Sequence, residues 1–72
     1  MSGSDITNVS EIGSAAGQVW EYLHRNGPAS VNKMVTGLGL TRDVLLQAIG
    51  WLAREDKLLF EKANRGRRIR LK

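Results

Sequence analysis

The sequence predicts a mainly α-helical domain in which three helices are followed by a small two-stranded β-hairpin. Three segments carry apolar residues at helical spacing, and glycine-containing turns separate them. From Leu58 onward the apolar spacing changes to the alternation that is typical of β-strands. A chain of 72 residues has the length of one small domain. We therefore expect a single domain over residues 8–72, preceded by a disordered polar tail over residues 1–7.

The first helix is predicted to begin after Asn8 and to end at the sequence RNGP. Asn8 is a favourable N-cap, and Glu11 three residues later completes a capping box. Gly27 suits the C-terminal cap, and Pro28 prevents the helix from continuing. The side chains that we expect to face the core lie on one arc of this helix: Val9, Ile12, Ala16, Val19, Trp20 and Leu23.

A short second helix and a longer third helix follow, joined by the sequence GLGL. Ser30 is the predicted N-cap of the second helix, and Gly37 and Gly39 are expected to end it. Thr41 is the predicted N-cap of the third helix. The predicted core residues are Val31, Met34, Val35 and Leu38 in the second helix, and Val44, Leu45, Ala48, Ile49 and Leu52 in the third. A short helix, a tight turn and a longer capped helix together indicate a helix-turn-helix.

The C-terminal segments LLFEKA and RRIRLK are predicted to form the two strands of the hairpin. In the second strand Ile69 and Leu71 alternate with cationic residues, which places apolar and charged side chains on opposite faces. The sequence NRG between the strands predicts a three-residue loop whose last residue, Gly66, adopts the left-handed conformation. Three helices followed by such a hairpin form a winged helix-turn-helix.

Two further stretches, IGSAAGQVWEYL and AIGWLAREDKL, give the sequence a resemblance to a known family. They resemble a family of short stand-alone winged helix-turn-helix proteins of bacteria and archaea, described as a domain of unknown function. The resemblance covers about residues 10–72 and is most specific in the run GWLARE. It implies a winged-helix fold and a nucleic-acid-binding role, and it supplies no catalytic residues.

The outer side of the third helix carries the first group of candidate nucleic-acid contacts. In a DNA-reading helix-turn-helix this side enters the major groove. Gln47 has the chemistry to recognise adenine, Arg54 to recognise guanine, and Arg42 at the helix start can meet a phosphate. Asp43 on the same side would repel the DNA backbone. Because the face offers few base-reading side chains, we expect low sequence specificity. The alternative, that these polar residues are simply solvated, remains open.

The hairpin carries the second group of candidate contacts. The net charge is +4, and most of the excess cations follow Lys57, where Glu61 is the single acid. A basic terminal patch is typical of proteins that bind phosphates. The candidate phosphate contacts are Arg65, Arg67, Arg68, Arg70 and Lys72. The predicted partner is therefore double-stranded DNA, although a solvated edge strand protected from aggregation by its charge would show the same pattern.

A protein-contacting surface on the third helix is the alternative function. Gly50 leaves room for another backbone to approach, and Leu46 and Trp51 would frame that opening with apolar surface. Such a surface would serve a protein partner or a homodimer. Trp51 has a second interpretation, in which it folds down over the edge of the core.

The composition argues against several other functions. The chain has no cysteine, and His24 is its one histidine, so we expect no metal site, no cofactor and no catalytic triad. We accordingly predict that the protein is not an enzyme. No apolar run approaches the roughly 20 residues of a membrane span, and the polar start lacks the pattern of a signal peptide. We expect a cytoplasmic protein.

Overall fold

The computed structural model describes residues 9–63 and 66–72, and it confirms the predicted order of elements. Three helices, α1 (Val9–Asn26), α2 (Val31–Leu38) and α3 (Arg42–Arg54), precede the strands β1 (Leu58–Ala63) and β2 (Gly66–Leu71). The two strands pair antiparallel. The tail predicted for residues 1–7 and the predicted cap Asn8 lie outside the described residues.

The predicted N-caps of α2 and α3 are confirmed by their hydrogen bonds. Ser30 Oγ accepts from the backbone N–H of Lys33 at 3.1 Å, and Thr41 Oγ1 accepts from that of Val44 at 3.2 Å. Each bond satisfies an N–H that the first helical turn leaves without an intrahelical partner. At the other end of α2, Gly39 adopts the left-handed conformation with φ 68°, which glycine tolerates without strain. These caps fix the short turn that sets α3 against α2.

The core lies between the three helices and the base of the hairpin. From α3 it takes the predicted Leu45, Ala48, Ile49 and Leu52. The other buried apolar residues are Ala15, Ala16, Val19, Leu23, Ala29, Met34, Leu58 and Ile69. All of these side chains are apolar, and leucine and alanine are the most frequent among them, so burial of apolar surface drives the assembly.

The prediction that Trp20 faces the core is wrong. Trp20 is 37% exposed, and its ring stacks on that of His24 with the ring centroids 4.9 Å apart. The buried arc of α1 is completed by Ala15, which lies on the opposite side of Val19 from Trp20. Trp20 therefore lies at the edge of the helix face that α3 covers.

The hairpin differs from its prediction at the turn. The ladder of paired residues extends to Ala63 and Gly66, so Gly66 is the first residue of β2 rather than the last residue of a three-residue loop. Its φ of 127° is positive but lies outside the left-handed helical region that was predicted. The observed register pairs Ala63 with Gly66, whereas a three-residue loop would pair Ala63 with Arg67.

Besides its packing in the core, the hairpin is tied by an isolated β-bridge to the segment between α1 and α2. Ala29 and Ile69 exchange two backbone hydrogen bonds, of 3.0 and 2.8 Å, so that Ile69 is paired on both sides. Because this bridge is antiparallel, the chain that leaves Ala29 toward α2 runs in the direction of Arg67 along β2. The chain therefore leaves the bridge for α2 in the direction of the hairpin turn.

Candidate nucleic-acid interface

The outer side of α3 is exposed and polar. Asp43, Gln47, Gly50 and Arg54 are all exposed, and they lie opposite the buried stripe of the same helix. The four residues recur at spacings of three and four, which places them on one face. The structure thus brings the predicted readers Gln47 and Arg54 to one surface, with Asp43 near its N-terminal end.

Arg42 links the start of α3 to the start of α2. Its guanidinium donates a hydrogen bond to Asn32 Oδ1 in the first turn of α2. Asn32 is neutral, so this bond fixes the position of the guanidinium without compensating its charge, and no carboxylate of the described residues pairs with it. Lys33 follows Asn32 and is exposed. Two cations therefore lie close to the N-terminus of α2, where the helix dipole adds positive potential.

The two faces of the hairpin differ in their charge balance. On the face that we call the outer face, which carries Glu61, Arg68 and Arg70, the cations have carboxylate partners. Glu61 contacts the guanidinium of Arg70 at 3.3 Å and that of Arg68 at 3.9 Å. Farther along the same side of β2, Lys72 Nζ lies 2.5 Å from Asp56 Oδ2. The predicted grouping of Arg68, Arg70 and Lys72 therefore coincides with a set of exposed ion pairs.

The opposite face of the hairpin, which we call the inner face, is buried at one end and carries cations near the hairpin turn. Its residues are Leu58, Phe60, Lys62, Arg67 and Ile69. Leu58 and Ile69 are buried, whereas Lys62 and Arg67 are exposed and lie directly opposite each other in the ladder. Within residues 9–63 and 66–72 neither has a carboxylate partner. Arg65, the remaining predicted hairpin contact, lies outside the residues that the structure describes.

Phe60 was not among the contacts predicted from the sequence. It is 51% exposed although it pairs with Ile69, which is 3% exposed. The alternation of Leu58, Phe60 and Lys62 places this ring between the core and an unpaired cation, and that alternation was a signal that could have identified it.

The alternative protein-contacting surface is only partly assembled. Gly50 and Trp51 line one shallow groove between α1 and α3, together with Ile12, Gln47, Arg54 and Glu55. A Cβ atom added to Gly50 would meet no heavy atom within 4 Å. Trp51 is half-buried and packs against the core, as its second interpretation predicted. Leu46 is exposed on the side of α3 turned away from α1, and so lies apart from Trp51.

Two further classes of site are absent from the part of the chain that the structure describes. It contains no group of three or more His, Cys, Asp or Glu side chains placed to hold a metal ion. Among the same residues, no helix combines the length and apolar character needed to cross a bilayer.

Comparison with known proteins gives three matches that each extend over most of the chain. The model of the family described as Winged helix-turn-helix domain (DUF2582) matches residues 7–71. The chain is 33% identical over 64 residues to uncharacterized protein MJ1608 of Methanocaldococcus jannaschii, covering 86% of this chain and 91% of that protein. The solution NMR structure of protein BT2368 from Bacteroides thetaiotaomicron superposes with a TM-score of 0.78 at 31% identity, covering 86% and 76% of the two chains.

Proposed function

This chain belongs to the DUF2582 family of winged helix-turn-helix domains, and from that premise we propose that it binds double-stranded DNA with low sequence specificity. The observation that supports the proposal most is a set of exposed cations that have no carboxylate partner among the described residues. Arg42 and Lys33 lie at the starts of α3 and α2, and Arg67 lies on the half of β2 along which the chain runs from Ala29 toward α2. A duplex presents phosphates on both sides of a groove, so one duplex can contact the cations of α2 and α3 and the cation of the hairpin at the same time.

In this proposal the outer side of α3 enters the major groove. Gln47 contacts adenine and Arg54 contacts guanine, while Arg42 holds a phosphate at the helix start. Gly50 offers no side chain and Asp43 accepts only from a cytosine amino group. Two readers on one helix are few, which is why we propose low specificity.

The hairpin supplies phosphate contacts in the same proposal. Arg67 is free to bind a phosphate, and Arg65 joins it as a candidate. The remaining cations of the hairpin contribute when a DNA phosphate replaces the carboxylate with which each is now paired; they are Arg68, Arg70 and Lys72. Exposed ion pairs contribute only about 0–1 kcal/mol each, so this exchange is inexpensive. With three to five phosphates neutralised, the logarithm of the binding constant should fall against the logarithm of salt with a slope of about −3 to −4.5.

The proposed role is that of a binding domain without catalysis. We also propose that the protein acts in the cytoplasm, where a duplex partner would be found in cells such as those of its archaeal and bacterial relatives.

A titration of isotope-labelled protein with a random-sequence duplex, at low and moderate salt, tests the proposal. Amide signals of α3 and β2 should shift at low salt and return toward their free positions as salt rises. Two matched variants each remove one cation. Arg67→Gln removes it from the proposed interface, and the control Arg25→Gln removes it from α1, where Arg25 pairs with Glu21. Arg67→Gln should weaken binding more. No shifts at low salt, or equal weakening by both variants, would contradict the proposal.

The groove that Gly50 and Trp51 line favours the second candidate, a contact with another protein or a second copy of the chain. The apolar side chains of Ile12 and Trp51 and the open space above Gly50 are suited to an approaching helix. Sedimentation of the wild-type protein beside Trp51→Ala tests the homodimer. A dimer that Trp51→Ala dissociates would support it, whereas a monomer in both samples at high concentration would remove it.

A further inference from the structure

The inner face of the hairpin combines an exposed aromatic ring with two unpaired cations. Phe60 and Lys62 are alternate residues of β1, so they point to the same side about 7 Å apart along the strand. Arg67 faces Lys62 across the ladder. The outer face carries Glu61 instead, which compensates the arginines beside it. The two faces therefore offer different chemistry to a ligand.

The pair of Lys62 and Arg67 indicates that the inner face binds an anionic ligand. Residues directly opposite each other in an antiparallel pair have their Cβ atoms about 4.5–5.5 Å apart, and like charges at this position destabilise the hairpin. No carboxylate of the described residues lies against either cation to offset the repulsion. A phosphate between the two side chains would accept from both and remove it.

The exposed ring of Phe60 indicates that the anionic ligand also carries an apolar or aromatic group. Its ring is half out of water beside the buried Ile69, so a ligand that covers it would remove apolar surface from solvent. A nucleotide combines a phosphate with a flat base whose face suits an aromatic ring. The antiparallel bridge between Ala29 and Ile69 also directs the chain toward α2 along the half of β2 that carries Arg67.

We propose that the hairpin enters the minor groove of the duplex by its inner face, with Phe60 as an apolar wedge against a base step. Lys62 and Arg67 bind the flanking phosphates. This inference rests on the proposed duplex binding and adds to it the contacting face and the residue that deforms the DNA. Apolar side chains that enter the minor groove partly unstack the step that they contact. Pyrimidine–purine steps unstack most easily, so they are the preferred sites.

The experiment uses the whole chain and a duplex that carries 2-aminopurine at a TA step, since the fluorescence of this base rises when it unstacks. Wild-type protein should raise the fluorescence at low salt. Phe60→Ala should abolish the rise and weaken binding about three- to tenfold, the loss expected when half of a phenylalanine side chain no longer leaves water. Leu59→Ala is the matched control, because Leu59 is 41% exposed on the outer face of the same strand. It should behave as the wild type does.

The phosphate contacts are tested by salt dependence. Lys62→Gln and Arg67→Gln should each reduce the magnitude of the salt slope by about 1, whereas Arg70→Gln, whose guanidinium is paired with Glu61, should change it less. Far-UV circular dichroism of each variant checks folding, and Phe60→Leu, which keeps an apolar side chain, should retain part of the fluorescence rise.

The outcomes separate this inference from the proposed function. If the wild type binds the duplex but Phe60→Ala and Leu59→Ala give the same fluorescence and affinity, the inference is overturned and duplex binding stands. If the effect of Phe60 appears only with a single-stranded oligonucleotide of the same sequence, the minor-groove wedge is likewise overturned. Absence of any wild-type binding to the duplex at low salt would remove the proposed function itself.

Discussion

Replacement of Gly50 by alanine should raise the free energy of unfolding. Gly50 lies in the interior of α3 on its exposed side, and a Cβ atom there would meet no heavy atom within 4 Å. Glycine in a helix interior is about 0.8–1 kcal/mol less favourable than alanine, because the unfolded chain loses more conformational freedom when it folds. Nothing in the surroundings opposes the methyl group, so we expect most of this difference to appear as stability.

The magnitude can be measured by thermal and urea unfolding. For a domain of this size a gain of 1 kcal/mol raises Tm by about 4–8 °C. The urea midpoint should rise with an unchanged m value, because the surface exposed on unfolding stays the same. If Gly50 is retained because a groove or partner backbone approaches it, the same variant will bind its ligand more weakly despite the more stable fold.

Gly37 provides the comparison. It lies in α2, where an added Cβ would come within 2.8 Å of Tyr22 Cε2, so the tyrosine ring must shift. The stability gain of Gly37→Ala should therefore be smaller than that of Gly50→Ala. A decrease in Tm for Gly50→Ala, or an equal gain at both positions, would refute the reasoning.

Three other substitutions have expected outcomes. Leu45→Ala should lower the unfolding free energy by about 2–5 kcal/mol in urea titrations, because Leu45 is completely buried; a loss below 1 kcal/mol would contradict this. Thr41→Ala should lower it by about 1 kcal/mol through loss of the N-cap bond, and an unchanged midpoint would count against that role. Glu61→Gln should change stability by less than about 1 kcal/mol, yet tighten duplex binding and steepen its salt slope because Arg68 and Arg70 lose their carboxylate. Equal or weaker binding would show that these arginines do not approach phosphate.

The elements that depend on local chemistry could be predicted from the sequence. Ser30 and Thr41 cap their helices through bonds to residues three positions away, and Gly39 ends α2 through its own backbone conformation. The buried stripe of α3 follows from its helical spacing alone. In each case the signal and its cause lie within one or two helical turns.

Features that depend on packing between distant segments could not be predicted. Ala29 bridges to a residue forty positions away, and a one-residue strand leaves no alternation to detect. The exposure of Trp20 depends on how far α3 covers the edge of α1, since its position on the helix suits either outcome. The ion pairs of Glu61 with Arg68 and Arg70 depend on the strand register, in which Ala63 lies opposite Gly66 and Glu61 therefore lies opposite Arg68.

The bridge between Ala29 and Ile69 couples motions of the hairpin to motions of the helix-turn-helix. Two backbone hydrogen bonds fasten β2 to the start of α2, and Arg42 fastens the start of α2 to α3 through Asn32. A rotation of the hairpin must therefore either break those bonds or carry α2 with it and so re-aim the first turn of α3. The amide hydrogens of Ala29 and Ile69 report which of these happens, because slow exchange with solvent persists only while the bridge is closed.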